Sequence, residues 1–490
     1  MEKQGEMVIW KRILGVGLAL ALVLSGCSGG GNEGNAGSNA GNTGSGGQAG
    51  GPVTITMMNT YHSETAPKDD GAIMQAMEDI TQVELDMTWV PNNVYGEKLS
   101  VTLASGELPQ VILADPLSPS IVTGIESGMF WELDPYLSEF PNLQTFNPIA
   151  VENSQYKGKT YGIIRPRAVA RGGVVIRGDW MENLDMELPT TDEEVYDLMV
   201  AFATQDPDGN GQDDTYGLMS YDGFSRDIMA WFGAPNIWKV EDGRFIRDVE
   251  TPEYMDGLRF VKRLYDEGLI NPNFAIEDRN VSRKGLYTGK VGITVEAFDA
   301  VVPFYYSKAS EFGGSFDFTV AAPINGRSYG GQGYLSAFLM PKSAVKTEED
   351  LRAILRFFDA QRSSEGTEQF KQLLLDNAAK PEAEQFNIDD LRQFLVNDVL
   401  VYPIGDSETD RMIRDRMEAN NAVAVGNPAF KYISPTYVER GGELDTILDD
   451  AAIQFVLGQI DEDGFQAAVQ AWKKAGGSQV AEELAALHEE

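Results

Sequence analysis

The nine residues Asp206-Pro207-Asp208-Gly209-Asn210-Gly211-Gln212-Asp213-Asp214 place oxygen donors at positions 1, 3, 5 and 9, with glycine at position 6. That is the spacing of a calcium loop, in which six or more oxygens surround a hard divalent cation. Asp206, Asp208, Asn210 and Asp214 would supply side-chain oxygens and Gln212 its carbonyl. Position 12, where a bidentate Glu closes the usual loop, is Gly217, so Asp213 or water would have to complete the shell. Calcium activates water far less than zinc does, so the expected role is structural. A second group, Arg165-Pro166-Arg167 with Arg171 and Arg177, concentrates guanidinium forks in an acidic chain. Such forks pair with carboxylates, phosphates or sugar hydroxyls, and an acidic sugar such as a uronate is one ligand they would suit; ion pairing with the chain's own acids is the plainer use. Catalytic chemistry is poorly provided for. The only histidines are His62 and His488, too few for a histidine zinc site or a nucleophile triad, and no phosphate loop or Gly-x-Ser-x-Gly motif occurs. A carboxylate pair can hydrolyse a glycoside, but among 75 Asp and Glu some pair falls close by chance.

The single cysteine, Cys27, ends the run Leu24-Ser25-Gly26-Cys27. Lys3, Lys11 and Arg12 precede an apolar stretch, Ile13 to Leu24, that is too short to span roughly 30 Å of hydrocarbon. Charged start, short apolar segment and small-residue cleavage site make residues 1–26 a signal peptide. With Cys at the cut, the segment resembles a bacterial lipoprotein signal, which implies lipidation of Cys27 and a mature chain that starts there. Residues 27–52 are nearly all Gly, Asn, Ser, Ala, Gln and Thr and read as a flexible tether spanning roughly 25–30 Å. The formal net charge is −36. A surface so acidic repels nucleic acid and anionic lipid, so membrane contact is expected through the lipid alone. One cysteine permits no internal disulfide, and 42% hydrophobic residues suffice for an ordinary core.

From Val53 the pattern alternates strands and helices. Val53–Met58, Glu84–Val90 and Gln110–Ala114 read as strands, with helices over Asp70–Ile80 and Val94–Ser105 between them. Further strands are expected at Gly173–Arg177, Val291–Val295 and Phe318–Ala322. Helices are expected from Thr191, whose Glu194 completes a capping box, and over Pro252–Gly268, Asp350–Phe358 and the tail beyond Thr446. Alternation of this kind predicts parallel βαβ units. Ligands then bind beyond the carboxyl ends of the strands, which places Asn59, Tyr61 and Asp115 at a site.

Five segments carry a wider resemblance: Val94–Leu99, Ser105–Val111, Tyr156–Ile163, Tyr287–Ile293 and Ala471–Gly477. In this order they resemble the extracellular solute-binding proteins of carbohydrate ABC importers, closest to the large lipoprotein subgroup that includes oligosaccharide binders. The resemblance covers nearly all of Val53–Glu490. It implies an α/β, two-lobed periplasmic-binding-protein-like fold with a hinge and an interlobe ligand cleft. One lobe would take 53–172 plus 321–362, the other 173–320 plus 363–490. Members carry a loop like Asp206–Asp214, usually with an acid just after position 9, where this chain has Thr215. Sugar binding needs flat apolar faces and planar hydrogen-bonding groups. Tyr61, Trp131, Trp180, Trp231, Trp238, Phe298 and Tyr334 are the candidate platforms, Phe298 because similar proteins carry a cleft aromatic there; Trp180 is expected at a helix start and Trp472 in the core. Arg165 and Arg167 would sit at the first crossover, and Asp115 and Glu296 would accept from sugar hydroxyls. The implied protein is a monomer, anchored by lipid to the extracellular face of the bacterial cytoplasmic membrane. It takes a mono- or oligosaccharide as ligand and ABC permease subunits as partners, binds calcium and is not an enzyme. The same fold serving as a peptide or sensory receptor, or a secreted glycoside-active enzyme, are the alternatives.

Overall fold

The computed structural model describes residues 53–489 apart from 213, 222, 300, 301, 303, 304, 306, 307, 309–315, 382 and 383. Cys27, the signal segment and the tether lie outside the described residues. Two sheets organise the chain. The first has the order β2 (Val83–Pro91), β1 (Val53–Tyr61), β3 (Val111–Ala114), β12 (Tyr334–Leu339), β4 (Gly162–Pro166). Its first three strands run parallel, and β12 is antiparallel to both β3 and β4. Residues of β3 are buried on both faces, as expected of an apolar run covered on each side by helices. Helix Glu348–Arg362 supplies one cover. Thr347 and Asp350 cap each other's backbone at its start, and Leu351, Ile354, Leu355 and Phe358 form the buried stripe. Phe358 stacks on Phe338 of β12 at 5.0 Å.

The second sheet has the order β10 (Phe318–Ala321), β5 (Gly172–Arg177), β9 (Val291–Ala297), β6 (Tyr216–Leu218). Helix Asp192–Thr204 packs on it behind the Thr191–Glu194 capping box read from the sequence. Phe202 of that helix lies so close to β9 that a Cβ on Gly292 would fall 2.0 Å from its ring; glycine is what allows the approach. Trp180, in helix Gly178–Asn183, packs edge-on to Phe202 at 5.3 Å, and Trp472 is buried in the same core. A hairpin, β7 (Trp238–Glu241) with β8 (Arg244–Arg247), and a short parallel pair, β11 (Ser328–Tyr329) with β13 (Ala424–Val425), complete the strands.

Each sheet has its own apolar core, and this is the two-lobed α/β arrangement. The first core draws on 55–164 and 334–399. The second draws on 174–324 and the tail helices from Leu444 to Leu484. A third cluster on the other face of the second sheet joins Val175, Phe298 and Val320 to Ala168, Val401, Ile413 and Met417. The segment 363–399, which the sequence assigns to the second lobe, contributes Phe370, Leu374, Leu391, Phe394 and Val396 to the first core. Its apolar residues fit either lobe by pattern; the bidentate pair of buried Arg362 with the half-exposed Asp398 ties the segment to the first.

The chain passes between the lobes at 167–171, at 322–333 and near 400–433. These passages bind one another. Ala170 N donates to Asn421 Oδ1 (2.8 Å), Asn420 Nδ2 to the Gly172 carbonyl (2.7 Å) and Gly331 N to the Val169 carbonyl (2.6 Å).

Candidate functional site

Strand direction decides which edges of the sheets meet the passages. β1, β2, β3 and β4 all end on the edge where antiparallel β12 begins, because Pro166 pairs with Tyr334. The second sheet shows the corresponding edge: β6, β9 and β10 end where β5 begins, with Gly172 opposite Ala297. Five residues, 167–171, join the end of β4 to the start of β5. The two carboxyl edges are therefore linked by the shortest passage, and the candidate site is built on them.

On the first edge, Asn59 is wholly buried. Its Nδ2 donates to the Gln393 carbonyl at 3.1 Å, so it is a strut under the segment 388–395 and not a free hydrogen-bonding group. Asp390 of that segment accepts from the His62 backbone at 2.6 Å, fixing it to the end of β1. Tyr61 is half-buried and meets Trp89 edge-on at 6.4 Å, and Trp89 meets Phe394 at 5.0 Å. Trp89 Nε1 is buried with no partner. Asp115 follows β3, and its Oδ1 accepts from Leu117 N at 3.0 Å. Partial desolvation of its carboxyl raises its pKa. Tyr334 is buried, donates to the Asn153 carbonyl at 3.3 Å and feels the charge of Asp115.

Arg165 is 5% exposed. Its Nε and one terminal nitrogen donate to the Arg392 carbonyl (3.2 and 3.0 Å) and the other to Ser336 Oγ (2.9 Å). Burial, then the Arg167 and Arg392 charges, push its pKa down to about 9. Arg167 follows to about 10 for the same reasons, burial first, then Arg392 and Arg171. Arg171 instead pairs with Asp299 at 2.8 Å. Arg177 is buried against Asp179, 2.7 and 2.5 Å, with its plane over Phe316. The five-residue basic cluster of the sequence is thus divided: Arg165 and Arg167 stand at the edge, Arg171 and Arg177 are tied up by acids.

On the second edge, Glu296 is buried and already accepts from Tyr221 Oη (2.6 Å), Arg283 Nε (3.2 Å) and Tyr305 Oη (3.2 Å). Phe298 is 0% exposed within the third cluster, and Trp231 is 4% exposed, edge-on to Phe260. Neither offers an open ring face here. Trp231 closes a short helix, Asp227–Trp231, whose apolar side packs into the second core, so its aromatic surface is spent on folding. Trp238 is likewise core, and Trp131 packs on the first core with Nε1 on the Val345 carbonyl.

The loop 206–214 lies elsewhere. It precedes β6, and its Asp214 pairs with Lys290, which precedes β9, so it occupies the opposite edge of the second sheet. Asp206 Oδ1 and Asp208 Oδ1 both accept from Asn210 N (3.0 and 3.3 Å), and Asp206 Oδ2 from Gly211 N (2.9 Å). Positions 1, 3 and 5 thus gather around one point. Yet the Asn210 amide also donates to Asp208 and Asp214, and the Lys290 ammonium takes the other Asp214 oxygen. Among the described residues no group of three or more His, Cys, Asp or Glu is disposed to hold a metal; Asp213 is not among them. As folded, the carboxylates of Asp206, Asp208 and Asp214 accept from Asn210, Gly211 and Lys290.

Arg392, Trp89 and Tyr221 belong to these edges and escaped the sequence reading. Trp89 closes an alternating strand, so the rule that ligands gather at strand ends could have found it. Nothing in Asp389-Asp390-Leu391-Arg392 marks the arginine; it arrives only through folding of the segment onto the first lobe. Among the described residues no helix is long and apolar enough to cross a membrane.

No family model matches the chain. Lipoprotein LipO of Bacillus subtilis is 34% identical over 473 residues, 90% of this chain and 93% of that protein. The polygalacturonan/rhamnogalacturonan-binding protein YtcQ of the same organism is 32% identical over 499 residues, 96% and 97%. Among solved structures, an extracellular solute-binding protein of Bifidobacterium longum subsp. infantis superposes with a TM-score of 0.65 at 16% identity, covering 90% of this chain and 99% of that one. An EF-hand mutant of the Streptococcus pneumoniae substrate-binding protein FusA, in complex with fructo-nystose, does so at 0.58 and 16%, covering 89% and 99%. Near-complete alignment at a third identity on a shared two-lobed fold places this chain in the family of extracellular solute-binding proteins that serve carbohydrate ABC importers.

Proposed function

We propose that the protein is a lipid-anchored receptor that captures an oligosaccharide outside the bacterial membrane, closes around it and presents it unchanged to an ABC permease. The observation that carries this reading is the convergence of both sheets' carboxyl edges on three mutually bonded passages, in a chain so similar to YtcQ. Tyr61, Trp89 and Asp115 supply rings and an acceptor on one edge, and Tyr221 lies on the other, held by the buried Glu296. The passages serve as the hinge, and ligand shifts the lobes only if it binds the closed state more tightly than the open one. Cys27 carries the lipid, the name of LipO being support for this, and residues 28–52 tether the body above the membrane. The relatives differ in ligand charge, since a galacturonan is acidic and fructo-nystose neutral.

Calcium belongs to the same proposal. Asp206, Asp208, Asn210, the Gln212 carbonyl and Asp214 offer hard oxygens suited to it, and a FusA structure is described by its EF-hand. When bound there, calcium cross-links a surface loop remote from the cleft edges. Thermal-shift measurements against a glycan and a peptide panel test the receptor reading. A rise in melting temperature with at least one oligosaccharide and no product after incubation is expected; a response confined to peptides, or turnover of the glycan, would sink it. EDTA is expected to lower the melting temperature of protein purified with calcium, and an identical curve would remove calcium from the account.

A further inference from the structure

Arg167 is an anomaly. Among the described residues its guanidinium makes no hydrogen bond, and its Nε is buried without a partner. Arg165 is almost fully buried, yet every acceptor it has is neutral: the Arg392 carbonyl and Ser336 Oγ. Arg392 pairs with Asp389 through one terminal nitrogen at 2.5 Å, but its Nε too is buried and unpartnered. Other arginines away from the open surface, namely Arg171, Arg226, Arg247, Arg283 and Arg362, each lie against a carboxylate. Three guanidiniums that repel one another stand together at this edge, and in a chain of net charge −36 two of them, Arg165 and Arg167, have no carboxylate in contact; only Arg392 has one, Asp389.

We propose that Arg165, Arg167 and Arg392 form a seat for an oxyanion carried by the saccharide, a uronate carboxylate or a sulfate ester, so that the ligand is an acidic oligosaccharide. The proposal rests on the receptor reading above and assigns the charge of its ligand. A crevice of about 10 Å³ lies among Arg165, Arg167, Leu335, Arg392 and Asn397. That is room for about one water-sized oxygen, so an oxygen of a substituent enters and the sugar ring stays outside. The carbonyl and hydroxyl on Arg165 fix its plane before ligand arrives, which lowers the ordering cost of binding. A neutral sugar hydroxyl would accept one hydrogen bond there but would leave the repulsion among the guanidiniums in place. An anion removes that repulsion and takes charge-assisted, forked hydrogen bonds from Arg167.

Calorimetric titration of the full-length protein in detergent tests this, with oligouronates of two to six rings, their carboxyl-reduced neutral counterparts and sulfated oligosaccharides of the same lengths. Tighter binding of an oligouronate than of its reduced counterpart, by at least tenfold, identifies the carboxylate; the same preference shown only by a sulfated oligomer identifies the sulfate. Arg167→Gln is expected to weaken the acidic ligand about 10- to 100-fold, with the melting temperature of the free protein no lower, because no bond is lost and a repelling charge is removed. Arg167→Lys, which keeps the charge but not the fork, should recover part of the affinity. Affinity should also fall as salt rises. Neutral oligomers bound as tightly as their acidic counterparts, or an Arg167→Gln protein of undiminished affinity, would overturn the anion seat and leave the saccharide receptor standing. Failure of every saccharide, acidic and neutral, would overturn both.

Discussion

The two lobes treat buried arginine in opposite ways. In the second lobe, Arg226 and Arg247 close on Asp248, which is 0% exposed, and Arg247 also reaches Asp445 at 3.0 Å. Burial is the largest influence on Arg226 and depresses it, but Asp248, with Tyr254, Tyr329 and Asp449 behind it, outweighs burial and the pKa rises. In the first lobe, Arg165 is as deeply buried as Arg247 and has no carboxylate; burial and its arginine neighbours depress it to about 9. One cluster is electrostatically complete and belongs to the fold. The other is the cluster proposed above as a seat for an anion.

The largest effect that would test this contrast is on stability. Removing one partner of a buried pair strands the other, at a cost of about 3–5 kcal/mol. Asp248→Asn is expected to lose that much in urea unfolding, since Arg226 loses its carboxylate and Arg247 keeps only Asp445. Arg167→Gln should change stability by under about 0.5 kcal/mol. If both substitutions cost the same, the two clusters are not built to different plans and the comparison fails.

A smaller effect comes from the residue beside Arg226. Asp227 hydrogen-bonds only weakly to Ser225 Oγ at 3.4 Å. Desolvation raises its pKa, and neither that bond nor Arg226 offsets it. A raised carboxyl pKa means the fold favours the protonated form. Its contribution is fully present below the unfolded value of about 3.9 and is lost as pH rises through the folded value, leaving a charge penalty at neutral pH. Asp227→Asn should therefore raise the melting temperature at pH 7 and leave it nearly unchanged near pH 3. A loss of stability at pH 7 would show that Arg226 depends on Asp227 as well as on Asp248, blurring the division between paired and unpaired charge.

Much of the scaffold was legible in the sequence because its signals are local. Period-two and buried apolar runs located the first three strands, and Thr191 with Glu194 announced a helix that the structure caps in that way. The strand-end rule pointed to Tyr61 and Asp115, and the structure puts both at the carboxyl edge of the first sheet. What it could not give was burial. Phe298 and Trp231 look like platforms in sequence, but both rings are covered by apolar neighbours that come from distant segments. Glu296 looks like an open acceptor and is surrounded by Tyr221, Arg283 and Tyr305. Arg165 and Arg167 were visible as a cluster, but whether an arginine has a partner depends on residues hundreds of positions away. The same blindness moved 363–399 to the wrong side of a lobe boundary, since amphipathic helices carry no mark of which sheet they cover.

The smallest expected effect inverts the first comparison. On the calcium reading proposed above, the carboxylates of the loop 206–214 wait for a cation as the proposed seat waits for an anion, except that here the chain holds a stand-in. Lys290 lies on Asp214, whose pKa is lowered first by that ammonium and then by Asn210. Both groups are partly exposed, so the pair adds little to stability. Lys290→Met should leave the melting temperature in EDTA close to that of the parent. In calcium the variant should gain more than the parent does, because the metal no longer has to displace the ammonium from Asp214. A tighter calcium isotherm for Lys290→Met, with the EDTA curves coincident, would show that the lysine competes with the metal for this loop. If the variant instead bound calcium no better, or lost stability in EDTA, Lys290 would be a fixed part of the fold, as complete as the Arg226–Asp248 pair, and the oxygens of this loop would no longer be waiting for anything.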